Sequence, residues 1–63
     1  MRLFHWAVYW SIEGEPDLFV DHHDTLTPWG ARKRVRNDLE DTYGPLDLDM
    51  IIIRSTELRR GAA

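Results

Sequence analysis

FHWAVYWSI, residues 4–12, holds two of the chain's three tryptophans together with a phenylalanine and a tyrosine. Aromatic and β-branched residues fit a pleated, half-buried surface. Period-2 spacing sorts the segment into two faces, which predicts a strand from Arg2 to Ile12. The even positions are Phe4, Trp6, Val8, Trp10 and Ile12, all apolar apart from Arg2 at the start. The odd positions are Leu3, His5, Ala7, Tyr9 and Ser11, a mixed set. One wholly apolar face requires a covering layer, and the rest of the chain must supply it.

EGEP, residues 13–16, reads as a turn, because Gly14 can take a positive φ and Pro16 cannot sit in a central ladder. A second strand is expected from about Asp17 to His22. Setting Leu18 and Val20 on the even face of the first strand places Ile12 near Leu18 and Trp10 near Val20. Phe19 and Asp21 then fall on the other face. Thr27 is a natural helix N-cap and Pro28 a natural first helical residue. Gly44 followed by Pro45 is a strong stop. Between them Ala31, Val35, Leu39 and Thr42 or Tyr43 form an amphipathic stripe. Leu46 to Leu58 reads as a third strand, with Leu46, Leu48, Met50 and Ile52 opposite Asp47, Asp49, Ile51 and Ile53. The tail RRGAA, residues 59–63, reads as frayed and disordered.

These elements give one small α+β domain over residues 1–58, in the order β-β-α-β. A right-handed crossover from the second strand through the helix to the third is expected. The three-stranded antiparallel/mixed sheet then takes the order 2-1-3, with one helix on one face. This is the split β-α-β arrangement, half of a ferredoxin-like fold. The helix covers the even face. The other face carries Leu3, His5, Ala7, Tyr9, Phe19, and Ile51 with Ile53 or their even neighbours. So apolar a face calls for a cover in a chain of 63 residues; a second copy making a homodimer through it is the expectation, with a partner protein or the chain's own tail and loops as the alternatives.

Composition narrows the classes further. There is no cysteine, which excludes disulfides and thiolate zinc sites. A net charge of −3 neither repels nor mimics nucleic acid globally. No apolar run reaches the roughly 18 residues of a membrane span, so no membrane partner is expected. The N-terminus lacks the pattern of a signal peptide, which fits a cytoplasmic protein. No phosphate-binding glycine loop, activated nucleophile or acid–base pair is recognisable, so the expected protein is not an enzyme.

DHHD, residues 21–24, invites a metal reading, since imidazole and carboxylate ligate transition metals. Adjacent histidines on a strand point to opposite faces. His5 and His23 at neighbouring strand ends, with Asp21 near, would form a metal- or pH-responsive cluster. A solvated turn leading into the helix is the stronger reading, and no metal or cofactor is assigned.

The helix charges say more. Arg32, Lys33, Arg34 and Arg36 precede Asp38, Glu40 and Asp41, the reverse of what the helix macrodipole favours. At about 100° per residue, Trp29, Arg32, Lys33 and Arg36 share one flank. That flank suits a protein partner, because Trp and Arg dominate interface hot spots. It also suits nucleic acid, by phosphate contact and base stacking, with Arg59 and Arg60 as possible aids. Alternatively Trp29 folds back over the sheet edge as core. Residues 38–49 hold acids and no base, a patch for a basic protein surface.

The aromatic first strand, the EGEP turn, the capped TPWGARKRV…YGP helix and the isoleucine-rich closing strand together resemble small accessory proteins of bacteriophages and prophages. That resemblance implies a protein that binds and modulates a host macromolecule. The residues themselves lead to a non-enzymatic interaction module with an unidentified protein partner, with nucleic-acid binding as the alternative.

Overall fold

Phe4–Ile12 forms β1, the central strand of the sheet. The computed structural model describes residues 3–44 and 49–59. Among these, β1 is followed by β2 (Leu18–Thr25), α1 (Pro28–Tyr43) and β3 (Ile51–Arg59). β1 pairs antiparallel with both neighbours, giving the order β2-β1-β3. The expected β-β-α-β architecture is therefore the observed one. No helix among the described residues is long and apolar enough to cross a membrane.

The helix is bounded by local chemistry. The Thr27 hydroxyl accepts a hydrogen bond from the Gly30 amide at 3.0 Å, and Pro28 follows as the first helical residue. At the other end Gly44 takes a φ of 85°, and its amide donates to the Glu40 carbonyl at 2.8 Å. Gly30 also serves packing. A Cβ there would stand 3.3 Å from Thr25 Cβ, so the first turn lies close on the end of β2.

Two strand boundaries differ from the sequence expectation. β2 continues through the DHHD run to Thr25, so those residues are strand and not a turn. β3 begins at Ile51 and runs to Arg59, which pairs with His5. Arg59 therefore belongs to the sheet and not to a frayed tail. Residues 45–48, and Arg60 with the rest of the tail, lie outside the described residues.

The register differs too. Trp10 pairs with Phe19, Ser11 with Leu18 and Tyr9 with Val20, one residue away from the expected pairing. A one-residue slip exchanges the two faces of a strand. Phe19 therefore lies on the helix side and stacks on Trp10, with centroids 4.6 Å apart. Leu18 and Val20 turn to the open side. In β3, Tyr9 faces Ser55 while Trp10 faces Ile53, so Arg54 is the extra residue of a β-bulge. The bulge resets the alternation, and Ile51 and Ile53 both face the helix.

The core follows from this register. Val8, Trp10, Ala31, Val35, Leu39 and Ile51 are buried together, with Trp6, Ile12 and Ile53 packed against them. The expected helix stripe of Ala31, Val35 and Leu39 is the buried one. Val8 and Val35 are the largest fully buried side chains, so the centre is thin and the aromatic rings around it supply much of the covered area. The Trp6 indole donates to the Thr25 carbonyl at 3.1 Å. The Trp10 indole nitrogen is buried with no hydrogen-bond partner among the described residues.

Candidate functional site

The helix presents its basic flank to solvent. Trp29 stands in the first turn, 70% exposed, so it is not folded back as core. Lys33 and Arg36 are exposed on the same flank. Arg32 lies at its inner margin, half-buried, where its Nε donates to the Thr56 hydroxyl at 2.7 Å. That bond fastens the helix to β3 and fixes the flank's orientation. Arg34 turns the other way and lines an open hollow with Leu3, Leu26, Thr27 and Lys33. The first helical turn carries no acid and the last no base. A helix N-terminus with no acid in its first turn, and the lysine and arginines near it, thus leave this end of α1 electropositive. Asp38, in the second half, faces His23 of β2 at 3.5 Å. Arg59 does not join the basic flank, because it lies on the opposite side of the sheet and donates to the Tyr9 hydroxyl and to Glu57.

The open sheet face is more polar than period-2 sorting suggests. Of the seven residues expected there, Phe19, Ile51 and Ile53 lie on the helix side instead, Ile51 and Ile53 with the core and Phe19 exposed beside Trp10. Ala7 has the expected orientation but is fully buried beneath its neighbours, so it offers nothing to a partner. Leu3 is exposed and borders the hollow beside the helix start. His5 and Tyr9 remain, joined by Leu18, Val20, His22 and Asp24 from β2 and by Ile52, Glu57 and Arg59 from β3. Charge and hydrogen bonds organise much of this surface. Arg54 donates to the Ser11 hydroxyl at 2.9 Å, and Glu57 accepts from Arg59 at 3.3 Å. Leu18 and Val20 are left as its exposed apolar corner.

The histidines regroup in the same way. His23 and Asp21 share the face of Trp6 and Val8, whereas His5 is on the other face. The cluster His5, His23 and Asp21 therefore does not form. Asp24 takes that place: its Oδ1 lies 2.6 Å from His5 Nδ1. His22 lies beside them, its Nδ1 3.3 Å from His5 Nε2 and its ring 13° from parallel to that of His5. His22 and Asp24 escaped sequence reasoning because their face depends on the hairpin register. The one usable signal was that DHHD alternates, so either Asp21 with His23 or His22 with Asp24 had to share a face with His5. Among the described residues no group of three or more histidine, aspartate or glutamate side chains is arranged to hold a metal ion.

Comparison with known proteins adds no relative: no protein family, curated protein or solved structure matches this chain.

Proposed function

We propose that this chain is a small, non-enzymatic interaction module that docks a macromolecular partner through the Trp29 flank of α1. Trp29 carries the reading. A tryptophan exposed to 70% costs solvation with no return in folding, and it stands beside Lys33 and Arg36 at an electropositive helix end. Large aromatic anchors ringed by cations are what binding hot spots are made of. The complementary surface is acidic, and a protein partner is the reading taken because Trp and Arg dominate protein interface hot spots. In keeping with the phage-type resemblance, the partner is a host protein of the cytoplasm. A second copy pairing through Leu18, Val20 and Tyr9 on the open face accompanies this reading.

Affinity capture from the native host, with the wild-type chain and Trp29→Ala side by side, tests the docking flank. A protein retained by the wild type and lost by Trp29→Ala supports it. Equal retention by both refutes it. Light scattering at high micromolar concentration tests the pairing separately, and a strict monomer refutes that part.

The same exposed indole and cations favour a second reading, single-stranded nucleic acid stacked on Trp29. Its affinity would fall steeply with salt. Titration with labelled oligonucleotides at low salt decides it, and absence of binding removes it.

A further inference from the structure

Two imidazoles, His5 and His22, meet on the open face with their rings near parallel. Asp24 Oδ1 lies 2.6 Å from His5 Nδ1. A carboxylate only accepts, so His5 Nδ1 carries the hydrogen, and in the neutral ring Nε2 keeps its lone pair. That lone pair faces His22 Nδ1 at 3.3 Å, long for a nitrogen–nitrogen hydrogen bond. Two zinc–nitrogen bonds of about 2.0–2.1 Å at the tetrahedral angle span about 3.3 Å. A carboxylate on the far nitrogen of a ligating histidine is the usual outer partner in such sites, where it fixes the tautomer and raises ligand basicity.

We propose that His5 Nε2 and His22 Nδ1 bind one divalent transition-metal ion of the zinc class, with Asp24 acting as a positioning residue on His5. Asp24 stays off the ion, so the site has two protein ligands and its remaining positions are filled by water. His22 is exposed and can turn its ring to bring both lone pairs onto one ion. Arg59 stands opposite His5 in the ladder. Its guanidinium is drawn to Glu57 and the Tyr9 hydroxyl, which offsets its charge toward an incoming cation. The site is distinct from the Trp29 flank and does not require a dimer.

The probe is Zn²⁺ added to the ¹⁵N-labelled chain, followed by imidazole nitrogen resonances. Saturable binding should shift His5 Nε2 and His22 Nδ1 and leave His5 Nδ1 protonated. His22→Ala should abolish it. Asp24→Ala should weaken it by about 10–100-fold, the usual effect of removing such a partner. His23→Ala, which alters the opposite face, should leave affinity unchanged. Both His22 and Asp24 are exposed, so their variants should keep the wild-type circular dichroism. The proposal is overturned if millimolar Zn²⁺ shifts no ring nitrogen, if His22→Ala binds as tightly as wild type, or if His23→Ala loses as much as His22→Ala.

Discussion

Ile51 and Ile52 are chemically identical and adjacent, yet substitution should damage one far more than the other. Ile51 is 6% exposed and belongs to the core beneath α1. Ile51→Ala removes three carbons, a transfer loss of about 2.4 kcal/mol at about 0.8 kcal/mol per carbon. The void left in a thin core raises the total to about 3–4 kcal/mol. A domain of 63 residues holds only about 3–9 kcal/mol in all, at about 0.05–0.15 kcal/mol per residue. The melting temperature should therefore fall by at least about 12 °C, taking about 4–8 °C per kcal/mol for this size. Ile52 pairs with Ser11 on the open face and is half-buried. Ile52→Thr keeps a β-branched strand residue there and should cost below about 1 kcal/mol. Thermal unfolding followed by circular dichroism compares the two directly. If Ile52→Thr proves the more damaging, Ile51 is not under the helix and the bulged register of β3 is wrong.

Three further outcomes follow from the same geometry. Thr27→Ala deletes the cap on the Gly30 amide and should lower stability by about 1 kcal/mol in urea unfolding, whereas Thr27→Ser should retain most of it. Gly44→Ala forces a side chain into a φ of 85° and should cost about 1 kcal/mol or more, read as a shifted urea midpoint at constant slope. Trp29→Ala should leave the melting temperature within about 2–4 °C of wild type, the span of a surface change below about 0.5 kcal/mol, while removing partner capture. A large loss of stability in Trp29→Ala would show the indole to be core.

The helix was legible in the sequence because its signals are local. Thr27, Pro28, Gly44 and the stripe Ala31, Val35, Leu39 each specify their position without reference to the rest of the chain. Strand order was legible because a crossover after a hairpin leaves few alternatives. The hairpin register was not. Leu18, Phe19 and Val20 are three consecutive apolar residues, so polarity cannot say which of them faces the helix. The stacking of Phe19 on Trp10 decides it, and that contact spans the turn. The bulge at Arg54 was equally invisible, because period-2 counting assumes an uninterrupted strand. Those two shifts account for every misplaced residue of the open face. They turned Phe19, Ile51 and Ile53 to the helix side of the sheet, the two isoleucines into or against the core, and brought His22 and Asp24 beside His5. Helical periodicity places Trp29, Lys33 and Arg36 on the exposed flank, while Arg32, expected with them, is half-buried and bonded to Thr56.

The central position of β1 governs how this chain can fold. Its ladder with β2 closes through a short turn, but its ladder with β3 joins residues as far apart as His5 and Arg59. The core residue Ile51 also arrives only with β3. Chain entropy must be spent on that long closure before its contacts form, which slows the final step relative to the hairpin and helix. During synthesis the aromatic strand emerges first and waits with one edge unpaired until the isoleucine-rich strand follows it. The hazardous interval for this protein is therefore its biosynthesis, when FHWAVYWSI is out and its last partner is not.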